Sequence, residues 1–371
     1  MNYDEIRKNF YKKYDLVELN KQLDAYINQE LDLSEFNDKG KSYNKIINHF
    51  FEENIYSAMQ RRASKEKSPN DILYENEMLD KIFAFIKTKP NFYTGKDDIT
   101  NLKTFFRNAG KYASKVANFS PNVARKIYEK YCPKYNANIL DYSCGYGSRM
   151  LGCLTSKYNY TYYGIDPNTK LYSQLLKLGE FINNKKRCDY KIYCQGSEIA
   201  IEELTNKIDL AFSSPPYYNL EIYSKESTQS VIKYPKYDEW VNNYVTNTIK
   251  NIYRYLKNGG LFIINVKNIT QGKQEPVADD WKRIAIEQGF SLVDIIDMKH
   301  QAGKTALGDY KLEHTSQIYK GYKEPLFIFK KGDKENEGNW IIRKNSKKRK
   351  FTKEDWSVWC NLPLHWKRKY V

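Results

Sequence analysis

The stretch Ile139-Leu-Asp-Tyr-Ser-Cys-Gly-Tyr-Gly-Ser-Arg149 reads as a strand that ends on an acid and turns, through two glycines, into a helix. Glycine in such a turn lets the backbone pass close to a ligand, and the first helical turn offers that ligand unpaired N–H groups. Alone, the Gly-x-Gly turn is a weak signal. It is incomplete as a dinucleotide fingerprint, because Arg149 and Met150 stand where a third glycine is expected. The next strand strengthens it: Tyr163-Gly-Ile-Asp166 sets a second carboxylate at a strand end about 20 residues on, placed to accept both hydroxyls of a ribose. Asp166-Pro167 would also start a helix well, and the two roles are compatible.

Working outward, short apolar runs alternate with helical stretches. Asn138–Asp141, Tyr160–Asp166, Tyr190–Cys194, Ile208–Phe212 and Leu261–Val266 read as strands, with Ser291–Ile296 and Leu326–Phe329 closing the set. Most gaps leave room for a crossover helix, so the expected fold class is α/β: a Rossmann-like, mostly parallel seven-stranded sheet with helices on both faces. Upstream, Leu79, Ile82, Phe83 and Ile86 are spaced as one face of a helix, as are Ile46, Ile47, Phe50 and Phe51. That region carries no chemical motif and reads as a packed helical appendage. From 331 to 371 the chain holds 12 Lys/Arg against 5 Asp/Glu and four of its six tryptophans. The expected division is a helical region over 1–112, the α/β unit over 113–332, and a basic, Trp-rich tail over 333–371.

At 371 residues, with 41% hydrophobic and 29% charged residues, the chain is long enough for about two domains and too apolar for wholesale disorder. Its 61 Lys+Arg against 45 Asp+Glu leave +16, which suits a polyanionic partner. Richness in Tyr, Asn and Lys also reflects genomic base composition, which discounts that signal. Six cysteines form no CxxC pair and four histidines no ligand spacing, so no metal is expected. The N-terminus lacks a signal-peptide pattern and no run approaches about 18 apolar residues. A reduced, cytoplasmic protein without a membrane partner is expected; the oligomeric state is not legible.

The chemistry lies in Asp209-Leu-Ala-Phe-Ser-Ser-Pro-Pro-Tyr-Tyr-Asn219. Two prolines after a buried strand end its ladder and fix a rigid turn at the carboxyl edge of the sheet, where open α/β sheets bind ligands. Ser214-Pro-Pro-Tyr217 there offers a hydroxyl, carbonyls freed from pairing and an aromatic face. Those groups suit a planar ring that bears an exocyclic amine.

With these motifs in order, residues 115–330 resemble the S-adenosylmethionine-dependent amino-methyltransferases of DNA, which act on N4 of cytosine or N6 of adenine. The resemblance matches Ser214, Pro215, Pro216 and Tyr217 to the catalytic motif. It matches Asp141, Ser143, Gly145 and Gly147 to the cofactor turn, and Asp166 to the ribose acid. Asn118-Phe-Ser-Pro-Asn-Val-Ala124 resembles the segment that meets the methionine part, through Phe119, Ser120 and Pro121. Leu256–Asn265 and Glu324–Lys330 resemble later parts of the sheet. Where many relatives carry an acid at the third strand end, this chain has Gly196-Ser197-Glu198, so the adenine contact falls on Ser197, Glu198 or a backbone N–H.

The resemblance implies an amine held by Ser214 and the Pro215 carbonyl, and a flipped base stacked on Tyr217, with Tyr218 either a second wall or core. Serine at the first motif position leans toward cytosine N4 over adenine N6, in duplex DNA before RNA. Cys144, away from the catalytic turn, reads as a small buried residue. About 65 residues separate the two motifs, too few for a recognition domain, so recognition must sit in the N-terminal helices, in 299–324 or in the tail. Candidate nucleic-acid contacts are His300, Lys304 and Lys311 in the long polar connection, and Lys347, Lys348 and Arg349 in the tail. A methyltransferase acting on RNA, and an idle nucleic-acid scaffold with this fold, are the alternatives.

Overall fold

The computed structural model describes residues 2–36, 43–60, 67–108, 112–269, 274–298, 325–332, 341–344 and 347–350. Seven strands form one sheet: β1 (Asn138–Asp141), β2 (Thr161–Ile165), β3 (Asp189–Tyr193), β4 (Ile208–Ser213), β5 (Leu256–Asn265), β6 (Phe290–Asp297) and β7 (Pro325–Lys331). Their order is β3-β2-β1-β4-β5-β7-β6. The first five run parallel, and β7 is antiparallel to both β5 and β6. This is the α/β sheet the strand spacing predicts. The reversal between β1 and β4 leaves a crevice at their carboxyl ends, the usual ligand position in such sheets.

Successive strand residues feed opposite faces. Ile139, Phe212, Ile263 and Ile328 join one buried cluster, while Leu140, Ala211, Phe262 and Phe327 join the other. Two-sided burial explains why these strands read as continuous apolar runs. Helices Thr246–Tyr255 and Val277–Gln288 cover the second face. Helices Pro121–Tyr131, Ser148–Leu154 and Thr169–Asn183 cover the first, together with Leu16–Ile27 and Asn44–Ser57 from the N-terminal region.

The N-terminal helices thus pack into the core of the sheet. A satellite cluster does form there, and it contains the expected stripe Leu79, Ile82, Phe83 and Ile86. Helix Asn44–Ser57 spans both: Tyr56 belongs to the satellite, while Ile46, Ile47, Phe51 and Ile55 belong to the sheet's core. Half-buried Phe50 rests on Phe181, with ring centroids 5.6 Å apart. Buried Arg125 fixes the junction, donating to Glu129 at 2.8 Å and to the Tyr26 carbonyl at 2.5 Å. The chain then crosses to the far side of the crevice. Met59–Gln60 pairs antiparallel with Glu221–Ile222, only a few residues after the double proline.

In the tail, Ile341–Lys344 pairs antiparallel with Lys347–Lys350. Lys347, Lys348 and Arg349 stand on that hairpin, and their side chains lie outside the described residues. His300, Lys304 and Lys311 lie outside them altogether.

Because Phe51 is fully buried in the core shared by both regions, Phe51→Ala should destabilise the whole chain by about 3–5 kcal/mol in chemical denaturation. A loss below about 1 kcal/mol would mean that the N-terminal helices rest only loosely on the sheet.

Candidate functional site

The crevice is organised by a carboxylate that it does not expose. Asp141, at the tip of β1, is fully buried. Its Oδ2 accepts from Arg149 Nε at 2.9 Å and from the Tyr162 hydroxyl at 2.8 Å. Its Oδ1 accepts from the Ser213 hydroxyl at 2.8 Å and the Ser143 N–H at 3.3 Å. Arg149, also buried, donates in addition to the Ser143 carbonyl and lies over the Phe119 ring. Removing both charges from water is costly, and only such a full set of partners offsets it. The tips of β1, β2 and β4 are thus tied together beneath the turn 142–148. The Cys144 N–H donates to the Ile165 carbonyl at 3.0 Å and completes the anchor.

That turn presents its backbone to the crevice. Gly145 has φ +55, and a Cβ there would meet nothing within 4 Å, so its outer side is open. Gly147, at φ +69, answers to packing instead: a Cβ would fall 2.7 Å from Leu178 and 3.0 Å from Phe51. Asp166 faces the same opening. Its Oδ2 accepts from the Gly145 N–H at 2.9 Å and its Oδ1 from the Asn168 N–H at 3.0 Å. Burial pushes its pKa up to about 6, against the opposing pull of those two N–H groups. Asn168, rather than Asp166, caps the following helix, accepting from the N–H groups of Lys170 and Leu171.

Across the opening, Ser214-Pro-Pro-Tyr217 leaves the end of β4. The Tyr217 hydroxyl lies 3.4 Å from Ser214 Oγ and 3.3 Å from the Asn265 carbonyl at the end of β5, which fixes the ring. Tyr218 takes the left-handed conformation at φ 51, a strained position for a tyrosine. This swings its ring into the core, against Trp240 and Tyr237, with its hydroxyl donating to the Pro235 carbonyl. Tyr218 is therefore core and no second wall. Cys144 is buried, and burial raises its thiol pKa.

Phe119, Ser143, Gly145, Asp166, Ser197 and Ser214–Tyr217 line one cavity of about 590 Å³. Ser120, Pro121, Asp141 and Gly147 stand behind its wall: Ser120 caps helix Pro121–Tyr131, and Asp141 has spent its acceptors on protein donors. At the third strand end both candidate side chains have partners. Ser197 Oγ lies 3.0 Å from Thr248 Oγ1, and Glu198 pairs with Lys233 at 2.8 Å. Sequence reading missed Tyr146, Gln229 and Asn265, which also line the cavity. The Tyr146 hydroxyl and Gln229 Nε2 are buried polar atoms with no hydrogen-bond partner among the described residues. Buried groups of this kind normally find a partner, and here the cavity is where one would sit. Among the described residues, no group of His, Cys, Asp and Glu could hold a metal ion, and no helix is long and apolar enough to cross a membrane.

Residues 208–369 match the N6_N4_Mtase family, described as DNA methylase. Three solved structures are similar at low identity. TrmN from Thermus thermophilus is 13% identical (TM-score 0.39), covering 62% of this chain and 53% of its own. A SAM-dependent O-methyltransferase from Thermotoga maritima is 13% identical (TM-score 0.38; 60% and 69%). A TehB-like SAM-dependent methyltransferase from Corynebacterium glutamicum is 15% identical (TM-score 0.36; 68% and 99%). The chain spans about half the length of the first of these. No curated protein matches the sequence. The strand order is that of the class I methyltransferase fold, and the DNA methylase match makes S-adenosylmethionine the cofactor to test against the cavity. The cavity fits it: Gly145 leaves room beside the turn, Asp166 offers a carboxylate edge, and two orphaned polar atoms wait on its wall.

The raised pKa of Asp166 sets a pH dependence. If Asp166 holds a cofactor ribose, the hydroxyls would donate to its ionised carboxylate, and a proton on Asp166 would compete with the cofactor. Affinity should be level above about pH 7 and fall below about pH 6, by up to about tenfold per pH unit. Calorimetry on the wild type and Asp166→Asn checks this: the variant should bind more weakly at neutral pH, without that acid limb. A flat wild-type profile would remove Asp166 from the ribose.

Proposed function

We propose that this chain transfers a methyl group from S-adenosylmethionine to the exocyclic amine of a base flipped out of duplex DNA, N4 of cytosine before N6 of adenine. The observation that carries this reading is the position of Ser214-Pro-Pro-Tyr217 in the same cavity as Gly145 and Asp166. The DNA methylase match, which includes that motif, supports it.

An exocyclic amine is a poor nucleophile because its lone pair is delocalised into the ring. Ser214 Oγ and the Pro215 carbonyl accept its two N–H bonds, which favours a tetrahedral nitrogen. The Pro215 carbonyl has no hydrogen-bond partner among the described residues and is free for this role. The two prolines hold both acceptors still, so orientation is settled before reaction. Tyr217 stacks on the base, its ring steadied through its hydroxyl by Asn265. Phe119, Ser143, Gly145, Asp166 and the backbone at Ser197 would hold the cofactor, with Ser214 at the junction of the two ligands. When bound, S-adenosylmethionine supplies an electrophilic methyl on a sulfonium. Cys144, the one cysteine lining the cavity among the described residues, is buried with its pKa raised and serves as no nucleophile here. Serine at the first motif position, which the resembling N4-cytosine enzymes mostly carry, is the ground for placing cytosine first; its neutral hydroxyl would accept a hydrogen bond from either amine.

Loss of the motif should damage turnover and spare cofactor binding. Ser214→Ala should slow single-turnover methylation by about 10²-fold, as removal of one preorganised polar contact does elsewhere. Tyr217→Ala should weaken substrate binding by about 1–3 kcal/mol. Calorimetric affinity for S-adenosylmethionine should stay within about twofold of wild type in both. Full activity in the Ser214→Ala/Tyr217→Ala double variant would sink the assignment. A wild type that binds the cofactor yet methylates RNA alone would move the substrate from DNA to RNA.

A further inference from the structure

Two atoms on the cavity wall are out of balance. The Tyr146 hydroxyl and Gln229 Nε2 are buried without a hydrogen-bond partner among the described residues. Both residues line the cavity that Asp166 lines, and they are only 5% and 6% exposed. Leaving such groups unpaired is costly, so each points to a ligand in the cavity rather than to packing.

What each atom can do is fixed by its surroundings. The Ser224 N–H donates to Gln229 Oε1 at 2.7 Å. A backbone N–H only donates, so the carbonyl end of the amide must face it, and Nε2 is left as a donor. Burial pushes the Tyr146 pKa well up, and Glu221 and Asp166 add to the effect, so its hydroxyl keeps its proton. The wall therefore presents two neutral donors.

Asp166 supplies the complementary groups. Each of its oxygens accepts one backbone N–H, from Gly145 at 2.9 Å and from Asn168 at 3.0 Å, which leaves each a second lone pair. Local bonds set both donors beside it. Tyr146 directly follows Gly145, whose N–H touches Asp166. Gln229 is carried past Asp166 by the segment 221–230. There Thr228 Oγ1 donates to the Pro167 carbonyl at 3.2 Å, and Glu226 accepts from the Thr169 N–H at 3.2 Å and its hydroxyl at 2.8 Å. Tyr223 of the same segment meets Tyr146, with ring centroids 6.4 Å apart. Two donors facing a carboxylate with two spare lone pairs match a vicinal diol, whose hydroxyls each donate one hydrogen bond and accept another.

We propose that Tyr146 and Gln229 complete a diol subsite with Asp166, donating to the oxygens of the two ribose hydroxyls of the cofactor. This rests on the reading of the cavity as an S-adenosylmethionine site and deepens it. Segment 221–230 begins four residues after Tyr217, so one stretch of chain runs from the Ser214–Tyr217 loop to the ribose.

The test is calorimetry on the full chain with S-adenosylhomocysteine and with its 2′,3′-dideoxy analogue, at about pH 8, where Asp166 is ionised. The readout is the preference for the diol ligand, because a merely structural loss would lower both affinities alike. Tyr146→Phe and Gln229→Leu should each cut that preference about three- to tenfold, the worth of one neutral hydrogen bond. The melting temperature of free Tyr146→Phe should match or exceed that of the wild type, because the variant loses only an unpaired polar atom. An unchanged preference in either variant would overturn the subsite while leaving the cofactor reading intact. A lower melting temperature in free Tyr146→Phe would do the same, since the hydroxyl would then have a partner within the protein. A wild type that binds S-adenosylhomocysteine without preferring it to the analogue would overturn the subsite together with the ribose role of Asp166. A wild type that binds neither ligand would overturn the cofactor reading itself.

Discussion

One buried ion pair, Asp141 with Arg149, is the constraint from which the rest of the site follows. A carboxylate and a guanidinium withdrawn from water lose several kcal/mol of solvation each, and their attraction returns it only with good geometry and further hydrogen bonds. Here Tyr162 comes from β2, Ser213 from β4, and Ser143 from the turn itself. The donors thus arrive from three neighbouring segments, and satisfying one charge aligns all three. The backbone of Gly145, the carboxylate of Asp166 and the start of Ser214-Pro-Pro-Tyr217 are held in one frame as a result.

The second constraint is the union of the two halves of the chain. Gly147 can take its conformation only because it has no Cβ to strike Leu178 and Phe51, so the turn 142–148 is fitted against an N-terminal helix as closely as against its own. The same region returns at Met59–Gln60 to pair with Glu221–Ile222. Support for the turn on one side and for the Ser214–Tyr217 loop on the other therefore comes from residues that carry no motif. The cavity is lined from both halves, by Gln60, Arg107 and Asn118 together with Tyr217 and Asn265.

What was legible in the sequence follows this division. Strands buried on both faces read as apolar runs, and the acid-glycine and double-proline turns are local patterns, so the sheet and the contact surface of the site could be read from neighbours in the chain. Asp141 looked like a ligand contact because a strand-end acid gives no sign of its partners, which lie eight residues on at Arg149 and on other strands at Tyr162 and Ser213. Gly147 looked like a site of ligand approach because the rings it avoids are remote in sequence. Tyr218 was ambiguous until its left-handed backbone turned it inward. Tyr146 and Gln229 could not be found at all, since their interest lies in lacking a partner among the described residues.

The central claim is that rigid acceptors at the end of β4 aim an exocyclic amine, with no covalent step. It is tested most directly by incubating the protein with duplex DNA and S-adenosylmethionine labelled in its methyl group, then digesting the DNA and identifying labelled nucleosides by mass spectrometry. The account predicts label in N4-methylcytosine, with N6-methyladenine as the one other product consistent with the same geometry. Label in 5-methylcytosine, which requires a cysteine nucleophile, would contradict it, because Cys144, the one cysteine lining the cavity among the described residues, is buried with its thiol pKa raised.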